Sequence, residues 1–404
     1  LSTKASCRIL LTGGRAPVAL ELARHLSAAG HYIVIAESCS APLSGVSHAV
    51  AAVYRIPAPR LATAAFVEEL IDVIKREQID IVIPTCEEIF YIAAAAEQLQ
   101  PHCQLFMDDY DKLIALHNKG RFVEMSQDCH LAVPETFVLN SRQDWEDMIS
   151  QPGKWVLKPV YSRFSTNVQI INVQTDGIIY EAETNTPLAA KKLLERYLTT
   201  PGSWIAQSYI EGQAYCSYSI VQHGQIAAHA VYPVEFTAGS GSCISFRMVE
   251  RPDITAWIQQ FVTSYQLHGQ VAFDFIVEAR TGQVYAIECN PRATSGVHLF
   301  QPMDRLAAAF FPGTVSIEPR SDACAMIAMA MWSFGITSLR SWRDVHKWWR
   351  FIWQGRDVVF RWRDPFPFLQ QIRYLWFVYH LSKQQQISLM EATTFDIEWN
   401  GDSR

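Results

Sequence analysis

Glu288, Asn290 and Arg292 occupy alternate positions in the segment Tyr285 to Phe300, YAIECNPRATSGVHLF. Alternate residues of an extended strand share a face, so a carboxylate, an amide and a guanidinium are expected to converge directly after the apolar run Tyr285-Ala286-Ile287. The segment QVAFDFIVE is separated from QVYAIECN by the turn ARTG, reads as its hairpin partner, and brings Asp274 to the strand beside Glu288. Asp274, Glu288 and Asn290 suit Mg²⁺, with Mn²⁺ as a substitute, because such an ion takes one or two protein carboxylates and completes its octahedron with water and phosphate oxygens. The competing reading is a polar sheet face on which Arg292 neutralises a carboxylate. Two acids sharing a site are costly without a cation, which favours the metal.

Two lysines fit beside such an ion. Lys158 ends the apolar strand KWVLKP, and Lys119 opens a helix at HNKGRF. A lysine directed inward needs an anion, and phosphate is the usual one next to magnesium. Taken singly, each lysine reads more readily as a surface residue snorkelling its ammonium to water. The strand WIAQSYIEG, which emerges at Ile210 and turns at Gly212, offers backbone groups beside apolar surface, as an adenine ring requires; it also reads as an ordinary strand end.

Other segments bear on ligands less directly. LTGGRAP is a strand ending in glycines at a helix start, a general anion site, and Glu37 ends the next strand where a dinucleotide ribose would be held. The third glycine of that fingerprint is missing, so a structural turn or a contact to a substrate phosphate or carboxylate is favoured over an oxidoreductase reading. Glu235 to Arg247 (EFTAGSGSCISFR) and Thr294, Ser295 and His298 are candidates for substrate contact; His298 also reads as a packing or capping residue.

These groups need elements to hold them. RILLTGG, APVALELARHLSAAG, HYIVIAES, FVEELIDVIKRE and IDIVIPT alternate strand and helix patterns, the βαβ arrangement of a parallel sheet. DDYDKLIALHNKGRFVEMSQDCHL reads as helical, and Pro134 punctuates entry to a new unit. Strands, the helix LAAKKLLERYL and the strand SWIAQSYI follow, then a hairpin turning at His223-Gly224.

With 404 residues, 49% of them hydrophobic, the chain has enough apolar material for several cores. A formal charge of −6 argues against nucleic acid as a partner. Nine scattered cysteines without CxxC spacing suggest reduced thiols and a cytoplasmic location. No run of eighteen apolar residues suggests a spanning helix, and a start at Leu1 leaves room for an upstream segment. Eight of the twelve tryptophans lie beyond Met331, and nine Lys/Arg face three acidic residues between Arg340 and Lys383. Trp342, Val345, Trp349 and Ile352 form a helical stripe expected to pack on the rest of the chain, in preference to a membrane-interface contact.

The order Lys119, then VLKP with Lys158, then QSYIEG, then FDFIVEARTGQVYAIECNPR resembles the ATP-grasp superfamily of ADP-forming ligases from about Arg8 to Phe300. The resemblance implies an α/β ATP-grasp fold with a Rossmann-like pre-grasp domain over residues 1–110 and an ATP-grasp domain over 111–320. It further implies a mobile lid over about 154–204, with an aromatic-rich helical extension over 321–404. It implies that Lys119 and Lys158 hold nucleotide phosphates, that Gln207, Tyr209 and Ile210 form the adenine hinge, and that Asp274, Glu288 and Asn290 ligate magnesium. Arg292 would hold the transferring phosphoryl group. The ribose-contacting glutamate expected after the hinge falls on Ala214, so Glu211 would substitute, and the phosphate loop PVYSRFSTNV carries Ser162, Arg163, Ser165 and Thr166 where the family is usually glycine-rich.

Within the superfamily, VIKREQIDIVIPTC, GQVAFDFI and the tail GRDVVFRWRDPFPFLQQIRYLWFVYHL are similar to the cyanobacterial mycosporine-glycine synthase type. This implies ATP-driven joining of a small-molecule acid or enol acceptor to an amine or amino acid, with a homo-oligomer left open. The alternative is a catalytically weak ATP-binding scaffold or membrane-interface protein.

Overall fold

The computed structural model describes residues 6–161, 168–175, 178–182, 187–188, 195, 197, 203–239, 242–313 and 316–401. The phosphate loop with Ser162, Arg163, Ser165 and Thr166, and most of the helix expected at LAAKKLLERYL, lie outside the described residues. The chain forms two compact units that are not consecutive stretches. One comprises residues 1–113, 216–272 and 290–399; the other comprises 114–215, 273–289 and 400–404.

In the first unit, β1 (Arg8–Thr12), β2 (Tyr32–Glu37), β3 (Ala52–Arg55), β4 (Ile81–Ile83) and β5 (Gln104–Leu105) form a parallel sheet in the order β3-β2-β1-β4-β5. The central strands β1, β2 and β4 are nearly continuous apolar runs, as expected of parallel strands covered on both faces. Helix Thr63–Glu77 buries Phe66, Val67, Leu70, Val73 and Ile74, one stripe at helical spacing, and stops at Gln78 in the left-handed region. The βαβ pattern was legible; the short β3 and β5 were not.

In the second unit, β6 (Thr136–Leu139), β7 (Gly153–Pro159), β8 (Gln169–Val173), β9 (Ile179–Glu181), β10 (Pro187–Leu188) and β11 (Trp204–Ser208) form a sheet in the order β10-β9-β8-β7-β11-β6. Trp145, Trp155, Tyr197 and Trp204 pack in its core with Leu157 and Ile171. The helical stretch expected after residue 108 is broken at Asn118 into Tyr110–His117 and Lys119–Asp128. Asn118 takes an extended backbone and its side chain accepts from the Arg121 amide, so the break serves as an N-cap that starts the second helix at Lys119.

A further sheet, in the order β13-β12-β17-β18, contains β12 (Gly212–Gln222), β13 (Gln225–Pro233), β17 (Gly269–Glu278) and β18 (Val284–Asn290). At Gly212 a Cβ would stand 2.0 Å from the Val277 carbonyl oxygen, so only glycine permits this approach. The hairpin turn at residues 279–283 is closed by Glu278, whose amide donates to Gln283 at 2.9 Å.

The remainder of the first unit adds β14 (Thr237–Ala238) paired with β15 (Ser242–Cys243), and β16 (Ser245–Arg247), β19 (Cys324–Met326) and β20 (Arg356–Asp357) in the order β16-β19-β20. Helix Trp342–Gln354 packs Trp348 and Phe351 against Phe236, Ile244 and Met331. This corrects the expected stripe: Trp342 is 88% exposed and Trp349 is also exposed. The helix is turned because Trp348, not Trp349, finds both a core and a hydrogen-bond acceptor, its Nε1 donating to Met331 O at 3.0 Å. None of the described helices is long and apolar enough to cross a membrane.

Candidate functional site

Within the second unit the chain gathers two lysines and two carboxylates. Lys119 is buried at the first turn of its helix, its Nζ 3.7 Å from Glu288 Oε2. Lys158 is buried near the end of β7, where its Nζ donates to Gln207 Oε1 at 2.9 Å and to Ile287 O at 3.2 Å. Burial pulls the Lys158 ammonium down to about 8, opposed by Glu288 and Asp274 and reinforced by Lys119. Asp274 lies on β17, the neighbour of β18 that carries Glu288. The Glu288 side chain is 26% exposed while both lysines are nearly sealed, so solvent reaches the carboxylate side of the cluster.

The donor set fits magnesium. Asp274 and Glu288 supply two carboxylates, the number such an ion usually takes from protein, and the buried ammonium groups are suited to the phosphate oxygens that would complete its shell. Among the described residues no group of three or more His, Cys, Asp or Glu side chains is arranged to hold a metal. Asp274 and Glu288 are two such carboxylates, so the further ligands of a magnesium ion would come from water and phosphate oxygens.

The expected adenine hinge divides by environment. Gln207 is buried on β11 and engaged on both ends of its amide, accepting from Lys158 and donating to Thr136 Oγ1 at 3.2 Å. Tyr209 is exposed and its ring lies under Lys154 Nζ, 3.7 Å from the centroid. Ile210 is half-buried and Glu211 exposed, with the Glu211 carbonyl accepting from the Ala279 amide at 2.9 Å.

In the first unit, β18 ends at Asn290, so Arg292 lies on a bend beyond the strand and strand alternation does not place it. It is instead tied back to Asn290: Nη2 donates to Asn290 Oδ1 at 3.0 Å and the Arg292 amide to Asn290 O at 2.8 Å. Its Nε is 3.9 Å from Glu87 Oε1, and Glu87 also accepts from the Trp399 amide at 3.2 Å. Glu87 was missed in the sequence; the acid doublet Glu87-Glu88 directly after β4 was its one visible signal. Glu88 is buried with its carboxyl pushed up by burial, and accepts from Thr12 Oγ1 at 2.6 Å and from the amides of Thr85 and Cys86.

The structure supports the favoured structural reading of LTGGRAP over the dinucleotide one. Glu37 accepts from the Arg15 amide, Arg15 Nε and Nη2, and the Cys39 amide, leaving its carboxylate committed to the protein. Arg15 in turn pairs with Asp396, its Nη2 2.9 Å from Oδ2, and nothing local in the sequence foretold that partner. Gly13 does need its freedom: φ is +68° and a Cβ would stand 2.5 Å from Thr85 Oγ1.

The substrate candidates are also placed. His298 is buried with Nδ1 3.5 Å from Glu21 Oε2, which makes it a packing residue. Burial raises the Glu21 carboxyl, but His25, His298 and Arg356 together hold it well below the usual range. Arg247 pairs with Glu235 at 3.1 Å, while Thr294 and Ser295 remain half-buried.

Residues 117–296 match the ATP-grasp domain family. The fold of the chain is the mixed α/β ATP-grasp fold, and solved structures of that kind align over most of it. N5-carboxyaminoimidazole synthetase from Staphylococcus aureus, complexed with ADP, aligns with a TM-score of 0.59 at 13% identity over 79% of this chain and 81% of that one. L-amino acid ligase from Bacillus licheniformis aligns with a TM-score of 0.57 at 16% identity over 77% and 76%. Biotin carboxylase from Campylobacter jejuni aligns with a TM-score of 0.58 at 14% identity over 75% and 70%. No curated protein matches the chain.

Proposed function

We propose that the protein is an ATP- and Mg²⁺-dependent, ADP-forming carbon–nitrogen ligase. The observation that carries this reading is the burial of Lys119 and Lys158 within one unit together with Asp274 and Glu288. A sealed ammonium is costly unless an anion joins it, and nucleotide phosphate is the anion that the family match favours.

Lys119 and Lys158 bind and orient the phosphates, and Gln207 holds the Lys158 ammonium in place. Asp274 and Glu288, with Asn290 as the third ligand that the resemblance implies, would hold magnesium, which when bound would neutralise charge on the phosphates. Arg292, fixed by Asn290, offsets negative charge as the γ-phosphoryl group passes to the acceptor oxygen. Gln207, Tyr209, Ile210 and Glu211 line the nucleoside side. An amine then attacks the phosphorylated acceptor carbon, the C–N bond forms as inorganic phosphate leaves, and the nitrogen gives up a proton, so that ATP, acid and amine give ADP, phosphate and the C–N product.

The acceptor is a carboxylate or an enolised 1,3-diketone, and the nucleophile an amine or amino acid, as in the mycosporine-glycine type that the sequence resembles. The fold likeness to an L-amino acid ligase is compatible with that chemistry. The test is ADP release across a panel of acids, cyclic enolones and amino acids. Release that requires both an acceptor and an amine is expected; Mg-ATP binding with no such release across the panel overturns the ligase reading.

A further inference from the structure

Helix Phe366–Gln385 buries Gln370, Gln371 and Ser382 beside Pro367 and Val378, while Leu369, Ile372, Leu375 and Trp376 are each at least half exposed. Phe366, Leu369, Ile372, Trp376 and Tyr379 follow helical spacing and share one face. A continuous apolar face left exposed in this way marks an interaction surface.

Helix Trp342–Gln354 repeats the feature. Trp342, Trp349 and Trp353 recur at i, i+7 and i+11, a single line opposite the packed Trp348 and Phe351; Trp353 is 81% exposed. Trp362, between the two helices, is 89% exposed.

Charge indicates what covers these faces. Between Arg340 and Lys383, nine basic residues face three acids, although the whole chain is negative. The acids are spent inside the fold: Asp344 caps its helix, Asp357 accepts from the amides of Ala328 and Phe360, and Asp364 pairs with Arg24. Arg356 and Arg361 are used by Glu21. Arg340, Arg343, Lys347, Arg350, Arg363, Arg373 and Lys383 are exposed, and none is ion-paired to an acid among the described residues. A second copy of the chain meeting this surface two-fold would set like charges against each other. An anionic lipid surface satisfies both the charge and the tryptophans, whose rings favour the headgroup boundary.

We propose that residues 332–383 form a docking surface for an anionic bilayer, with the two helices lying on the headgroups. Since neither helix is suited to span, attachment is peripheral and salt-sensitive. The proposal is independent of the ligase reading, because none of these residues belongs to the lysine–carboxylate cluster.

The test uses the full chain in co-sedimentation with phosphatidylcholine vesicles, with and without about 30% phosphatidylglycerol. Binding is expected with the anionic vesicles, weakened at least about tenfold by about 0.5 M salt. The variant Trp342→Ser/Trp349→Ser/Trp353→Ser should lose at least about tenfold in binding, and Leu369→Ser/Ile372→Ser/Trp376→Ser likewise, with the melting temperature retained because the changed residues are exposed. No binding of the wild-type chain to anionic vesicles overturns the proposal, as does unchanged binding of both variants. A wild-type dimer that the tryptophan variant dissociates, with no vesicle binding by either, overturns it in favour of a second copy.

Discussion

Lys158 donates a 2.9 Å hydrogen bond to the side-chain carbonyl of Gln207. Its other acceptor is the Ile287 carbonyl, so both direct acceptors of this buried ammonium are neutral dipoles. Two dipoles hold a cation in position without cancelling its charge, which suits the phosphate contact proposed for Lys158.

A pH dependence follows. In the folded protein Lys158 titrates at about 8, against an ordinary value of 10.5. A lowered lysine value means that the unfolded chain binds more protons between those values, so folding stability rises as pH climbs through that window. The gain is on the order of 3 kcal/mol and should be absent from Lys158→Met, whose nucleotide-free form should also be more stable than wild type near pH 7. Urea denaturation at pH 7 and 10 checks this. Nucleotide binding above about pH 8 should take up a proton, read as a calorimetric heat that changes with buffer ionisation enthalpy.

Arg15, Glu37 and Asp396 should behave as a buried structural triad. Arg15→Ala leaves two carboxylates uncompensated and should cost about 3–5 kcal/mol by urea denaturation. NAD(P) should leave the tryptophan fluorescence of the wild-type chain unchanged, because Glu37 is already committed to Arg15 and Cys39.

The orientation of helix Trp342–Gln354 can be checked by a pair of substitutions. Trp348→Ala removes a core ring and its bond to Met331 and should cost about 3–5 kcal/mol. Trp342→Ala should stay within about 0.5 kcal/mol of wild type in the same denaturation experiment.

These residues also show what a sequence can convey. The parallel sheet was legible because β1, β2 and β4 are covered on both faces and read as unbroken apolar runs. Lys158 and Glu288 stood out as charges at the end of an apolar run and Asp274 as a charge inside one, where burial must be explained, while Lys119 stood out through its order relative to them. Arg292 was placed on the wrong element because strand periodicity continues on paper past Asn290, while the Asn290-Pro291 step ends the pairing. Asp396 was invisible because its partner lies far away in the chain. Of the expected stripe Ile352 does pack on the core, but Trp342 and Trp349 do not, because periodicity identifies an apolar line without saying which of its residues protein covers.

The most direct test of the central claim is ADP release by Glu288→Gln with Mg-ATP and a productive acceptor and amine. Glu288 faces Lys119 at 3.7 Å and is partly open to solvent, so the isosteric amide should keep the shape of the site while removing the charge proposed to bind the metal. ADP release at least about a hundredfold below wild type, with the melting transition retained, is the predicted result. Release at the wild-type rate would contradict the assignment of this site.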